Sequence, residues 1–375
     1  MAASATRFNG PTRVALAGFY HAGNFGDDLY AVLFGLALQR FGIPFSLYGL
    51  CDPYASRLGV ERAPTLAGLL NGADALIWGG GGLLVSWPSL TYRLLYPSTV
   101  PRMNRLVAEV IRRRVPVWLA SVGGDGRPPH DVKPAYRARL LGEAQSITVR
   151  SPQDAELLQA AGRAATYYPD VVWGLSREVT VPRRHGARMR IGIDLYPSNL
   201  VRQHAVHALP RLQAAVSRRT DCEFFCLDTT NATRKAYRGL AGIIRGAHVH
   251  RYQFRDLDAD LAFIASLDVV LSSRFHTPIV ALQYGVPAVS MLPERKTQIA
   301  YANLGLDRYC YRRERVGELV ETMSDREAFD ELVRGFGFPD VARLGRESAG
   351  HFDVLRDRLD GVTESVCRGA GGPRP

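Results

Sequence analysis

Short runs of β-branched and apolar residues alternate with longer stretches of helical periodicity along most of the chain. Few folds accommodate that alternation. Parallel strands need crossover connections and helices supply them, so the pattern predicts βαβ units and parallel sheets. The expected strands of the first half are Arg13–Phe19, Pro44–Leu50, Ala73–Trp78, Val115–Val122 and Ser146–Arg150, with helices over Asp28–Phe41, Met103–Arg114 and Gln153–Ala161. Periodicity breaks over 180–190, where Pro182, two arginines, His185 and Gly186 interrupt it. It restarts with strands Arg190–Leu195, Cys222–Leu227, Asp268–Ser272 and Ala288–Met291, and helices Val201–Arg218, Asn231–Arg245, Asp256–Ser266 and Pro278–Tyr284. At 375 residues the chain has room for two such units. The predicted class is α/β, with two Rossmann-like domains facing a central cleft. The expected division is a flexible start over 1–12, domains over 13–182 and 187–325, C-terminal helices over 326–368 and a flexible tail over 369–375.

Composition narrows the class of function. Apolar residues make up 46% and charged residues 22%, which is ordinary for a globular protein. No run of ~18 apolar residues is free of charge, so no helix is expected to span a membrane. The first residues lack a secretory pattern, which places the expected protein in the cytoplasm. Cysteines are few and scattered, at 51, 222, 226, 310 and 367. Cys222 and Cys226 share a face of one expected strand but lie ~13 Å apart along it, which suits buried thiols better than a metal clip. No metal site and no cofactor are expected. The net charge of +11 points to an anionic partner, either a phosphorylated small molecule or an acidic membrane surface. A genomic preference for Arg over Lys accounts for it equally well. Nucleic acid is not expected, because no binding module is present and the basic residues are spread along the chain.

In open parallel sheets ligands bind at the carboxyl ends of strands, and four segments fall there. Gly18–Asp27 is a Gly-rich strand-to-helix turn with neither the dinucleotide-binding spacing nor the Lys-Ser/Thr of a P-loop. Its Asp27 and Asp28 are candidates for a site or simply for helix capping. Four consecutive glycines, Gly79–Gly82, follow a buried strand and mark a close approach, by a ligand or by another chain segment. Arg150 ends a strand just before a helix start. The fourth segment carries the most chemistry: the strand Asp268–Ser272 delivers Ser273, Arg274 and His276 to a short loop, and Lys296 follows the next strand. Arg offers a planar fork, Lys a compact charge and His a proton near neutrality, which together suit a small, highly charged acid.

In this order the motifs resemble the polysaccharide pyruvyl transferase family. They are Gly23-Asn24-Phe25-Gly26-Asp27, Gly79-Gly80-Gly81-Gly82, Val149-Arg150-Ser151 and Ser273-Arg274-Phe275-His276, with Tyr284-Gly-Val-Pro-Ala288 and Lys296 beyond. The resemblance covers roughly residues 13–300. It implies a GT-B-like fold, phosphoenolpyruvate as donor, a donor site of Arg150, Arg274 and Lys296, and His276 as general acid. Ser273 and Phe275 are grouped with the donor, and Asn24, Gly26, Gly80, Gly81 and Gly82 with the acceptor side of the cleft. The resemblance departs at Ser151, where relatives commonly carry Asp, and this leaves Arg150 without an evident orienting partner.

The residue types fit the implied chemistry. Protonating C3 of phosphoenolpyruvate makes C2 electrophilic, a sugar hydroxyl attacks, phosphate leaves, and a second hydroxyl closes a cyclic ketal. His276 is the expected acid, and Asp27 is the candidate carboxylate that accepts the sugar proton. The acceptor is a sugar or a lipid-linked saccharide, and peripheral contact with an anionic leaflet is compatible with the charge. Trp87, Tyr92 and Tyr96 are candidates for stacking on a sugar or for packing. Two other readings stand beside this one: a nucleotide-sugar glycosyltransferase on the same fold, and a non-catalytic basic binder of acidic lipid or polymer.

Overall fold

The computed structural model describes residues 12–20, 23–50, 52–86, 99–182, 186–195, 206–229, 244–252 and 256–370. Trp87, Tyr92, Tyr96, Cys51 and nearly all of the helix expected over 231–245 lie outside the described residues. So does the start of the helix expected over 201–218; Ala208–Arg218 is helical.

The first sheet contains β1 (Val14–Ala17), β2 (Phe45–Leu47), β3 (Ala75–Gly79), β4 (Val117–Val122), β5 (Ala144–Val149) and β6 (Thr166–Tyr167), in the order β2-β1-β3-β4-β5-β6. The second contains β7 (Met189–Asp194), β8 (Cys222–Asp228), β9 (His248–Arg251), β10 (Val269–Ser272), β11 (Ala288–Met291) and β12 (Cys310–Tyr311), in the order β12-β11-β10-β7-β8-β9. Neighbouring strands are parallel throughout. The inner strands are mostly apolar because helices cover both faces; β1, β3 and β4 are buried at every residue. Cys222 and Cys226 are both buried on β8, and burial pushes each thiol up to about 11.

Strand order places the site. The first sheet reverses direction between β1 and β3, and the second between β7 and β10. Loops diverge at such switch points and open a crevice at the carboxyl ends. Gly18 and Gly80 leave the first switch point, Ser273 and Arg274 the second. The two crevices face each other: Phe25 N–H, at the start of the helix Phe25–Arg40, donates to the Thr229 carbonyl beyond β8 at 3.0 Å. Tyr252 Oη donates to Tyr54 Oη at 2.8 Å, and Gln283 Nε2 to the Val172 carbonyl at 2.6 Å, tying the halves at two further points.

The last helices return to the first half. Helix Val341–Glu347 lies on the turn Val171–Gly174, with Arg177 Nη1 donating to the Gly345 carbonyl at 3.2 Å. Helix Gly350–Ala370 buries His351 completely, with Nε2 3.0 Å from the Pro169 carbonyl and Nδ1 2.6 Å from Thr148 Oγ1. A carbonyl only accepts, so Nε2 carries the proton and Thr148 donates to Nδ1. Burial pushes the His351 pKa down to about 3. The unfolded chain therefore binds a proton here below about 6.5 that the folded one does not take up until about 3, so this stabilisation is present above 6.5 and is lost as pH falls. His351→Asn should cost stability on the order of a few kcal/mol at pH 7 and clearly less at pH 4, by denaturant titration at both values.

Candidate active site

Helix Phe25–Arg40 starts at the cleft with Asn24 as its cap, the Asn24 side chain accepting from Gly26 N–H at 3.2 Å. The capping role left open for Asp27 and Asp28 thus falls to Asn24. Both aspartates occupy the first turn, where the helix dipole favours negative charge. Asp28 is 2% exposed, and burial followed by the Asp27 charge raises its pKa well above the ordinary value. Asp27 is held at about 6: burial raises it, while Lys296, Arg150 and Arg274 lower it.

Arg150 leaves β5 and is almost completely buried, its Nη1 2.9 Å from Asp170 Oδ2 and also bonded to Tyr30 Oη. Its guanidinium lies over the Phe275 ring at 4.3 Å. Tyr30 donates to Asp170 Oδ2 at 2.6 Å, and Asp170 Oδ1 accepts from Val172 N–H at 2.9 Å. Asp170 and Tyr30, rather than residue 151, orient Arg150; the departure at Ser151 leaves it fully held.

The second half presents the matching edge. Asp194 ends β7 and is 3% exposed, accepting from Thr277 Oγ1 and from Thr229 Oγ1 at 3.3 Å. Arg274 Nε lies 4.0 Å from Asp194 Oδ1 and 3.4 Å from Thr229 Oγ1. Ser273 is 1% exposed, and its hydroxyl donates to the Asp194 carbonyl at 3.4 Å. Lys296 stands in the first turn of the helix Arg295–Asn303, 2.9 Å from Glu294 Oε2.

His276 opens the helix His276–Gln283 and crosses to the first half. Its Nε2 lies 3.0 Å from Tyr30 Oη, 3.3 Å from Arg150 Nη1 and 3.9 Å from Asp170 Oδ2. The other edge faces Gly26, where a Cβ would fall 1.8 Å from Nδ1. Burial, then Arg150, Lys296 and Arg274, push the His276 pKa well below that of an ordinary histidine. Among the glycines of 79–82, Gly80 and Gly81 have φ of +73° and +82°, a backbone that disfavours side chains. The approach to Gly80 is made by the protein's own Tyr30 ring, 2.2 Å from a hypothetical Cβ, while Gly81 lies under Phe19 and beside Asp27. Gly82 lies against Val85.

The structure thus brings His276, Asp27, Arg150, Arg274, Phe275 and Lys296 to one cleft and puts Ser273 beneath it. Sequence reading missed Tyr30, Asp170, Asp194 and Thr229. Tyr30 looks like one more apolar position of its helix, and Asp170 follows a strand of two residues. Asp194 carried a usable signal, a carboxylate closing the apolar strand Ile191-Gly-Ile-Asp194.

Comparisons with known proteins agree with this architecture. The structure is similar to S. aureus MnaA in its co-structure with UDP, with a TM-score of 0.63 and 10% identity over 94% of this chain and 97% of that one. It is also similar to the UDP-GlcNAc 2-epimerase from Neisseria meningitidis bound to UDP-GlcNAc, with a TM-score of 0.57 and 10% identity over 92% and 99% of the two chains. The UDP-N-acetylglucosamine 2-epimerase from Rickettsia bellii gives a TM-score of 0.54 at 13% identity, covering 95% and 99%. At such identities the likeness establishes the fold, which is GT-B. No curated protein matches in sequence. The polysaccharide pyruvyl transferase family model matches residues 24–294, from the cap of the first cleft helix to the residue paired with Lys296. By that match the chain belongs to the polysaccharide pyruvyl transferase family.

Proposed function

We propose that the protein transfers the pyruvyl group of phosphoenolpyruvate to two hydroxyls of a sugar, on a glycan or a lipid-linked saccharide, forming a cyclic ketal and releasing phosphate. One observation carries the reading: Arg150 after β5, Arg274 after β10 and Lys296 in the first turn of the helix Arg295–Asn303, drawn from both halves, act together on one histidine and one aspartate. A donor with a carboxylate and a phosphate matches three such cations, two of them guanidiniums able to bind oxyanions in pairs.

The steps up to phosphate departure each have a residue. His276 protonates C3 of the donor, whose methylene becomes methyl while positive charge develops at C2. A sugar hydroxyl adds to C2 and gives its proton to Asp27, whose pKa of about 6 suits a base near neutrality. The C2–O bond to phosphate then breaks, with the departing charge held by the arginines and Lys296. A second hydroxyl closes the ketal. Of the two hydroxyl protons, one replaces that lost by His276 and the other leaves with phosphate.

Incubating the protein with phosphoenolpyruvate and candidate saccharides, and following phosphate together with a pyruvyl mass gain on the glycan, tests the reading. Release of UDP from a UDP-sugar, with phosphoenolpyruvate inert, would replace it with glycosyl transfer. Arg274→Lys probes the donor contact. Losing the guanidinium fork, with charge kept, should raise the donor KM about 10- to 100-fold, the worth of one charge-assisted bond. An unchanged KM in steady-state assays would remove Arg274 from the donor site.

A further inference from the structure

The hydrogen atoms around His276 can be counted, and the count fixes its tautomer. Tyr30 Oη and Asp170 Oδ2 are 2.6 Å apart, a separation that two oxygens tolerate only with a proton between them. The carboxylate has none to give, so the single Tyr30 proton lies on that bond. Arg150 Nη1 carries two hydrogens. One goes to Asp170 Oδ2 at 2.9 Å and the other to Tyr30 Oη; His276 Nε2, at 3.3 Å, is the farthest of the three acceptors. Tyr30 Oη can then only accept from His276, whose Nε2 lies 3.0 Å away. The count closes without a gap, because Tyr30 Oη accepts two bonds and donates one, and Asp170 Oδ1 is occupied by Val172 N–H.

We propose that Tyr30 and Asp170 are positioning residues that hold neutral His276 with its proton on Nε2, leaving Nδ1, the atom beside Gly26, to take up and deliver the catalytic proton. The part of this about delivery rests on the pyruvyl-transfer reading; the tautomer does not. The logic is that of a metal-bound or triad histidine, in which the partner of one ring nitrogen decides what the other can do. Here the partner is a phenol backed by a carboxylate, in a pocket that also contains Arg150. Tyr30 stays protonated because burial raises its pKa well above the ordinary value.

The test is nitrogen NMR of the full chain labelled at histidine, with the His276 signals assigned by their disappearance in His276→Gln. In the wild type at neutral pH, Nε2 is expected at the protonated, pyrrole-type position and Nδ1 at the unprotonated, pyridine-type one. The reverse assignment overturns the proposal, and this measurement needs no altered network. Tyr30→Phe keeps the ring against Gly80 but removes the acceptor. Its His276 should shift towards the Nδ1–H form, and kcat should fall about 10- to 100-fold, with a smaller rise in the donor KM because Arg150 loses Tyr30 but keeps Asp170. Unaltered nitrogen shifts in Tyr30→Phe would overturn the role of Tyr30. The expected tautomer in a protein that releases no phosphate from phosphoenolpyruvate would leave the positioning intact and sink the pyruvyl-transfer reading alone.

Discussion

Gly26→Ala should abolish most of the activity and also lower stability, although helix propensity alone would favour it. Gly26 is the second residue of the helix Phe25–Arg40, a position where alanine is normally better than glycine by roughly 1 kcal/mol. Local propensity therefore predicts a gain. The added methyl would lie 1.8 Å from His276 Nδ1 and 2.4 Å from Cγ, distances no atoms sustain, so the imidazole must leave its place. Once displaced it loses Tyr30 and no longer faces the three cations. Misplacing a reacting group by about 1 Å costs about 10²-fold, and kcat should fall by at least that. Thermal denaturation beside kinetics checks both halves of the claim. Full activity would mean that His276 works from another position than the one described.

His276→Gln should lower kcat about 10²–10⁴-fold, the usual contribution of a positioned acid, with phosphoenolpyruvate still binding. A second signature separates loss of the acid from loss of shape. In the empty site, burial and the three cations keep His276 neutral at pH 7. A donor carrying a carboxylate and a phosphate offsets those cations, so His276 should gain a proton when the donor binds. Linkage then requires donor affinity to weaken as pH rises through the donor-bound pKa of His276. Titration calorimetry in two buffers of different ionisation enthalpy should show this uptake in the wild type and not in His276→Gln. Equal uptake in both would assign the proton elsewhere, with Asp27 the first group to examine.

Much of the fold was legible because buried parallel strands have few ways to be written. Runs such as Ala75-Leu-Ile-Trp-Gly79 and Val117–Val122 stood out against amphipathic surroundings, and the break near residue 185 separated two sheets. Strands β6, β9 and β12 were not legible: β6 and β12 have two residues and no periodicity, and β9 is the largely polar, mostly exposed run His248–Arg251. The cations of the site were read from their places after strands. Their partners were not, because a buried carboxylate is chosen by what folds against it. Asp170 meets Arg150 across 20 positions, and Tyr30 meets His276 across 246. Gly26 shows the same limit. The motif marks it as a turn glycine, whereas the structure gives it helical neighbours and a distant imidazole as the reason for its missing side chain.

The return of the final helices to the first sheet bears on any attempt to build hybrids. A cut near residue 185 looks like a natural seam for exchanging one half between relatives. The unit containing β1–β6 is, however, completed by residues some 160 positions past that seam, among them His351 against Thr148 and Pro169 and Phe352 against Phe34. A working chimera has to move two separate pieces of chain together, the leading half and its distant closing helix. A single-crossover recombinant pairs one parent's sheet with the other parent's lid.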